Sequence, residues 1–145
     1  MPSVWTIGYE RLLPPQLVAE LAAARVERVL DVRFRPQSRR PGMSKTRLGH
    51  LLEAHGIAYE HRRALGTPPD LRHDFHAGRI AQARAGYRAY VEANSAEALD
   101  LLAHDVEHGP RTALLCLEED PAGCHRRVLC EVLAERLSRL EVVDL

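Results

Sequence analysis

Residues 112–117 have the sequence Thr-Ala-Leu-Leu-Cys-Leu, and this stretch decides the fold. Gly109 and Pro110 end the segment before it, and an acidic turn follows it. A strand that is apolar at successive positions is buried on both faces, which is typical of the centre of a parallel sheet. The sequence therefore predicts a parallel sheet covered by helices on both sides.

Short apolar runs and amphipathic stretches alternate on either side of this strand. Further strands are predicted at 4–7, 29–32 and 57–59, with an edge strand at 141–143. Helices are predicted from Pro14, from an N-cap at Ser44 to Gly56, over 80–91, from Ser95, and from Cys124. The polar segment 63–76 contains prolines and is predicted to be a loop able to close over a site.

The resulting order is β-α-β-α-β-α-α-β-α-β. It indicates an α/β fold in which residues 1–145 form a single three-layer domain. The sheet is expected to be mostly parallel, with about five strands and with helices on both faces. In such sheets the ligand lies outside the carboxyl ends of the strands, so the polar residues that follow the strands should meet at one edge.

Composition and charge exclude some classes of protein. The chain has 145 residues, of which 46% are hydrophobic and 28% charged, and this argues against disorder. The 20 basic residues balance 20 acidic ones, which argues against nonspecific coating of nucleic acid. This balance is an average, because residues 31–50 carry six basic groups and one acid. All the basic residues except Lys45 are Arg, the side chain best suited to bidentate contacts with phosphate or carboxylate.

No segment suggests export or membrane insertion. No apolar run reaches the roughly 20 residues of a membrane span, and the N-terminus lacks the pattern of a signal peptide. The cysteines, Cys116, Cys124 and Cys130, are an odd and sparse set that indicates reduced thiols. We therefore expect a cytoplasmic protein. The cysteine spacing lacks the paired short intervals of a zinc site, so neither a metal nor another cofactor is predicted.

The sharpest motif is Cys-Leu-Glu-Glu-Asp-Pro-Ala-Gly-Cys-His-Arg at 116–126, which joins the buried strand to a helix. The N–H groups and dipole of a helix N-terminus favour an anion and promote ionisation of a thiol. Arg126 can pair with a phosphate or carboxylate, and His125 can carry a proton near neutral pH. The alternative is a capped turn, in which Cys124 packs as a small hydrophobe and Arg126 pairs with Glu118 or Glu119.

A second motif, Asp31-Val32-Arg33, follows the second strand and places a carboxylate and a guanidinium on one face. A buried Asp31 either orients an arginine or accepts a substrate proton, or it is a structural carboxylate that accepts backbone N–H groups. The basic segment after it includes Ser38 and Arg39 and begins at a ligand-binding edge. Its charge suits a nucleotide or nucleic acid, and a solvated basic loop is the alternative.

These motifs together resemble a known family. They are Thr6-Ile7-Gly8-Tyr9, Asp31-Val32-Arg33 with Pro36 and Ser38, Gly56-Ile57-Ala58-Tyr59, Leu65-Gly66, and Leu115-Cys116-Leu117-Glu118 with Cys124-His125-Arg126. Their order over nearly the whole chain is similar to the bacterial and archaeal family called domain of unknown function 488. The resemblance implies that Asp31, Arg33, Glu118, Cys124, His125 and Arg126 matter, and it implies no activity. Tyr9 stands where many relatives have His.

The layout is also similar to that of rhodanese-like domains, which place Asp-Val-Arg after an early strand and a strand–cysteine–loop–Arg–helix unit near the end. This analogy implies a thiolate at Cys116. The loop that follows Cys116 contains three acids, which raise the pKa of a neighbouring thiol and repel anions.

Three functions follow from these observations, and the sequence leaves open whether the protein is an enzyme. The first is a small hydrolase or transferase acting on a nucleotide or nucleic acid through an anion pocket at the sheet edge. Arg33 and Arg126 would clamp the anion, with Asp31, Glu118, Cys124 and His125 as catalytic groups and Gly8, Tyr9, Ser38, Arg39 and Gly66 as further ligand contacts. The second is a non-catalytic nucleic-acid-binding module that uses the Arg-rich segment 33–47. The third is a cysteine-dependent, rhodanese-like thiol enzyme.

Overall fold

Five parallel strands form one sheet in the computed structural model, which describes residues 1–145. The strands are β1 (Ser3–Gly8), β2 (Arg28–Asp31), β3 (Ala58–His61), β4 (Thr112–Cys116) and β5 (Glu141–Asp144), and they lie in the order β3-β2-β4-β1-β5. The helices are α1 (Pro14–Ala23), α2 (Lys45–Ala54), α3 (Pro69–His76), α4 (Ile80–Asn94), α5 (Ala96–His108) and α6 (His125–Arg136). The predicted α/β fold is confirmed, and every strand pair is parallel.

Strand β4 lies at the centre of the sheet and divides its side chains between two cores. Leu114 and Cys116 face the core that α3, α4, α5 and α6 cover. Ala113 and Leu115 face the second core, which α1 and α2 cover. Alternate side chains of a strand point to opposite faces, so a strand between two helical layers must be apolar at every position. The predicted burial of both faces is thus confirmed.

The segment 63–76 is not the loop that its composition predicts. A short 3-10 turn covers Arg63–Leu65, and α3 covers Pro69–His76. Pro69 occupies the first turn of α3, where the missing N–H costs nothing. Phe75 is buried and Leu71 packs against the same core, so one apolar stripe anchors the helix. The loop prediction is wrong because only two large apolar residues mark this helix among polar ones.

Ser44 occupies the N-cap position of α2 as predicted, but its hydroxyl does not cap the helix. The Ser44 hydroxyl instead accepts the Ser38 N–H at 3.0 Å and donates to the Ser38 carbonyl at 3.3 Å. These bonds hold the basic loop between β2 and α2 in shape. No helix of the structure is both long enough and apolar enough to cross a membrane.

The strand register brings the predicted motifs to one edge of the sheet. Gly8, the last residue of β1, lies beside Cys116, the last residue of β4. Asp31, the last residue of β2, pairs with Leu115 on one side and with His61 on the other. The loops that follow these strands therefore begin side by side at that edge.

Candidate active site

A narrow pocket opens at this edge, between the ends of β1, β2 and β4 and the start of α6. Its cavity volume is about 30 Å³, enough for one or two water molecules. The polar side chains of its inner wall are Tyr9, Arg33, Cys116, Glu118, Cys124 and His125. A pocket of this size admits a reacting group of a few atoms rather than a whole nucleotide.

Two thiols and an imidazole meet in this wall. Cys116 ends β4, and the loop after it folds back so that Cys124 becomes the N-cap residue of α6. The sulfur atoms of both cysteines and Nδ1 of His125 all lie within 4.8 Å of one another. Nδ1 of His125 is 3.5 Å from the Cys124 sulfur and 4.0 Å from the Cys116 sulfur.

The imidazole of His125 is held from two sides. Its Nε2 lies 2.7 Å from the backbone carbonyl of Val32. A carbonyl only accepts hydrogen bonds, so Nε2 carries a hydrogen and Nδ1 is the nitrogen that faces the thiols. The ring of Tyr87 packs at 5.1 Å between centroids, and the Tyr87 hydroxyl donates to the carbonyl of Leu65 at 2.6 Å. The orientation of His125 is therefore fixed before any substrate arrives.

The thiols of the pocket differ in how readily they ionise. Burial by itself would raise the pKa of Cys124, but the neighbouring Cys116 thiol and the charges of His125 and Arg126 outweigh it and hold this pKa well below its usual value. Burial also opposes protonation of His125, yet the neighbouring Cys124 raises the pKa of the imidazole. The neighbouring Cys124 and burial raise the pKa of Cys116 well above its usual value, which favours the thiol form. These shifts favour a thiolate at Cys124 and an imidazolium at His125, at the N-terminus of α6.

Glu118 lies beside this pair. One of its carboxylate oxygens is 3.4 Å from the Cys116 sulfur, and the other is 3.4 Å from Nε2 of His76. Burial and the negative charge of Cys124 raise the pKa of Glu118. A carboxyl group of raised pKa can deliver or receive a proton at the pocket wall.

Asp31 and Arg33 form a buried ion pair, of which Arg33 lines the pocket. Nε and one terminal nitrogen of Arg33 donate to the two Asp31 oxygens at 2.8 and 2.7 Å, and Tyr59 donates its hydroxyl to the same carboxylate. The other terminal nitrogen of Arg33 donates to the Tyr9 hydroxyl at 3.0 Å and to the Met43 carbonyl at 2.7 Å. Burial favours neutral Arg33, but Asp31 outweighs it and raises the pKa of the guanidinium. The charge of Arg33 is therefore already balanced within the protein.

Arg126 lies outside the pocket. It is fully buried and donates to the backbone carbonyls of Glu118 and Glu119 and, at 3.1 Å, to the hydroxyl of Thr6. The carbonyl of Glu118 also lies against Gly8, where an added Cβ would be 1.7 Å from its oxygen. Arg126 thus ties the cysteine loop to β1. The anion clamp predicted for Arg33 and Arg126 is not formed, since the second of them does not reach the cavity.

Only one of the other residues predicted to contact a ligand lines the thiol pocket. Tyr9 lines the pocket, but Gly8 does not, because the Glu118 carbonyl covers it. Gly66 packs on the backbone of Phe34, where an added Cβ would approach to 2.4 Å, and it does not line the pocket either. Ser38 and Arg39 line a separate open groove formed by the basic segment. The structure does not bring this groove together with the thiols.

Sequence reasoning missed several lining residues. For Cys116 the rhodanese analogy implied only a thiolate; the residue is buried, its sulfur forms part of the pocket wall, and its raised pKa disfavours the thiolate. Arg35, Thr67 and Arg72 also line the pocket. Only their positions in the sequence could have indicated them. Arg35 and Thr67 follow strands by a few residues, and Arg72 lies on helix α3, which was not predicted.

Cys116, Cys124 and His125 are also the residues that could hold a metal ion. Thiolate sulfur and imidazole nitrogen are the ligands that zinc prefers. The Nε2–H to carbonyl bond of His125 is the kind of outer contact that orients a metal-bound histidine as well as a catalytic one. The cysteine spacing did not predict this cluster, since it arises only where the loop folds back onto β4.

Comparison with known proteins gives one match. The family model described as Domain of unknown function DUF488 matches residues 14–133, from the start of α1 into α6. The matched range contains Asp31, Arg33 and the cysteine loop. No curated protein and no solved structure matches the chain.

Proposed function

Because the chain belongs to the DUF488 family, whose description names no activity, we propose its function from the pocket alone: it is a cysteine-dependent enzyme with Cys124 as nucleophile. The observation that carries this proposal is the Cys124–His125 pair. A thiolate is the nucleophilic form of cysteine, and a neighbouring imidazolium at a helix N-terminus stabilises it.

The first step is formation of a covalent adduct. A lone pair of the Cys124 sulfur attacks the electrophilic atom of the substrate, and the bond from that atom to its leaving group breaks. The leaving group takes the proton from Nδ1 of His125, which becomes neutral. A second nucleophile then gives its proton to Nδ1 of His125 and attacks the same atom, and the bond from that atom to the Cys124 sulfur breaks, which restores the thiolate and the imidazolium. This sequence makes the protein a hydrolase if that nucleophile is water and a transferase if it is another acceptor.

The remaining side chains of the pocket support this chemistry. Cys116 lies beside Cys124, and its sulfur is 3.4 Å from a carboxylate oxygen of Glu118, which keeps a thiol and a carboxyl group next to the nucleophile. Asp31 and Arg33 hold Tyr9 in the wall, which makes them positioning residues. Glu118, with its raised pKa, is a second proton carrier within the pocket. A phosphate clamp has less support, since Arg126 is occupied by backbone carbonyls and Arg33 by Asp31.

Site-resolved labelling of the thiols tests the proposal. Iodoacetamide is added to the native protein over a range of pH, and mass spectrometry reports the extent of modification at each cysteine. We expect Cys124 to react first and to remain reactive well below the ordinary thiol pKa of 9.0. Cys130 is the matched control, because it is buried in the same helix and burial raises its pKa to about 12.

The variant His125→Gln completes this test. It should move the pH dependence of Cys124 labelling upward and slow labelling at neutral pH, while thermal unfolding verifies that the variant is folded. Labelling of Cys124 no faster than that of Cys130 in the native protein would overturn the proposal. An unchanged pH dependence in His125→Gln would remove the role of the imidazole.

A metal centre is the competing use of the same three side chains. The metal content of the purified protein, and the reactivity of Cys124 before and after chelation, separate the two. A bound equivalent of zinc that protects Cys124 until it is removed would replace the nucleophile with a metal site. Cys124 labelling that is fast without a chelator and unchanged by one supports the nucleophile.

A second candidate function is supported by the basic groove. Segment 36–47 lines an open cavity of about 520 Å³ with no acidic side chain among its walls. Arg40 is occupied by backbone carbonyls of the loop after β1, so Arg39, Lys45 and Arg47 are the cations free to contact phosphates. Nucleic-acid binding through this groove predicts affinity that falls steeply with salt and that the triple replacement of these cations by Gln abolishes. Unchanged affinity in that variant would refute this function.

A further inference from the structure

Two cations at the mouth of the thiol pocket have no partner in the protein. Arg35 and Arg72 both line the pocket, and both are exposed. Neither forms an ion pair, whereas Arg33 in the same wall is paired with Asp31. Unpaired guanidinium groups that converge on one cavity are suited to binding an oxyanion, since each presents several N–H donors in a plane.

A buried hydroxyl without a partner lines the same pocket. Thr67 is 4% exposed, and its Oγ1 makes no hydrogen bond. Buried hydroxyl groups are nearly always hydrogen-bonded, so an exception calls for a partner that is absent from the folded chain itself. Thr67 lines both the thiol pocket and the pocket next to it. A ligand that spans the two pockets would supply the missing acceptor.

The adjoining pocket is larger than the thiol pocket and has a basic character. Its cavity volume is about 250 Å³, and His73 and His76 line it together with Arg35, Thr67 and Arg72. No acidic residue lines it. Asp74 of the same helix is turned away into an ion pair with Arg79, at 2.9 Å. The thiol pocket has room for a reacting group of a few atoms, and the adjoining pocket has room for a larger part of a molecule.

We infer that Arg35, Arg72 and Thr67 form an oxyanion subsite for the substrate of Cys124. The inference rests on the proposed function, and it adds the chemical class of the substrate. That substrate carries a carboxylate, phosphate or sulfonate group joined to a small electrophilic group. The two arginines bind the oxyanion, the Thr67 hydroxyl donates to it, and the electrophilic group reaches the Cys124 sulfur.

Two alkylating reagents of similar size test the subsite. Iodoacetate is an oxyanion and iodoacetamide is its neutral analogue, so the ratio of their rates at Cys124 measures anion recognition, and the iodoacetamide rate alone measures the thiolate. The double variant Arg35→Gln/Arg72→Gln should lower this ratio by about fivefold or more. The matched control, Arg39→Gln/Arg47→Gln, removes the same charge from the other groove and should leave the ratio unchanged.

Thr67→Val tests the hydroxyl with little change in shape. It removes an unpartnered buried group, so we expect unchanged or higher Tm together with a lower iodoacetate rate and an unaltered iodoacetamide rate. If iodoacetamide labels Cys124 fast but the iodoacetate-to-iodoacetamide rate ratio is equal in wild type and Arg35→Gln/Arg72→Gln, the oxyanion subsite is overturned. The proposal that Cys124 is a nucleophile would then still stand. Slow labelling of Cys124 by both reagents would overturn the proposed function instead.

Discussion

Replacing Asp31 by Asn tests whether Arg33 is a structural cation or one held ready for a ligand. Asp31 is completely buried, and it accepts two bonds from the Arg33 guanidinium, one from the Arg33 backbone N–H, and one from Tyr59. Asn keeps the shape but removes the charge, and its NH₂ group faces donors where an acceptor is required. Arg33, itself only 4% exposed, would then be a buried cation without a counter-ion.

The expected cost is large for a chain of this size. Breaking a buried ion pair by removing one partner costs about 3–5 kcal/mol, because the remaining charge stays desolvated. For 145 residues the entropy of unfolding near Tm is about 0.3 kcal/mol/K. The variant Asp31→Asn should therefore unfold about 10–16 °C below the wild type.

Thermal and urea unfolding followed by circular dichroism measure this effect. Asp100→Asn is the control, since Asp100 forms an ion pair with Arg136 but its side chain is 72% exposed, and it should cost less than about 1 kcal/mol. The double variant Asp31→Asn/Arg33→Gln removes the stranded charge and should be less destabilised than the sum of the two single variants. A stability of Asp31→Asn within about 1 kcal/mol of the wild type would refute this reasoning and would return Arg33 to the candidates for ligand binding.

Two further predictions concern the cysteine loop. Gly8→Ala places a Cβ 1.7 Å from the Glu118 carbonyl oxygen and should lower the free energy of unfolding in urea by at least about 3 kcal/mol. The control is Gly123→Ala, whose Cβ meets no atom within 4 Å and which should leave stability unchanged. Equal stabilities of the two variants would contradict the close packing of Gly8 against Glu118. The folded pKa of Cys124 is lowered, so its contribution to stability should be fully present above the unfolded-chain value of 9.0 and lost as pH falls through the folded pKa. The folded pKa of His125 is raised, so its contribution should be fully present below 6.5 and lost as pH rises through the folded pKa. Unfolding free energies of wild type and Cys124→Ser across both pH ranges measure the effect, and parallel profiles would count against the ion pair.

Much of the fold could be predicted because its signals are local. The apolar run at 112–117 required a central parallel strand, and the order of strands and helices required a layered α/β sheet. The convergence of Asp31 and Cys116 on one edge followed from the same rule. The helix at 69–76 escaped prediction, since its stability depends on Phe75 packing against elements distant in sequence rather than on its own propensity.

The candidate site was only partly predictable. Cys124 and His125 were recognised from their position at a helix N-terminus, which is a property of the local sequence. The partners of Arg126 could not be recognised, because the local sequence is the same whether the guanidinium donates to backbone carbonyls or is free to bind an anion. The same limit applies to Arg35 and Arg72, whose lack of partners appears only when every acid in their neighbourhood is located.

The sequence by itself determined the layers of the sheet, its ligand-binding edge, and the side chains able to do chemistry there. The tertiary structure decided which of those side chains are available. It paired Arg33 with Asp31, buried Arg126 under the cysteine loop, and folded Cys116 back beside Cys124. The physical reason is that apolar periodicity follows from neighbours along the chain, whereas the ionisation of a thiol and the charge left on an arginine depend on partners that folding brings from elsewhere.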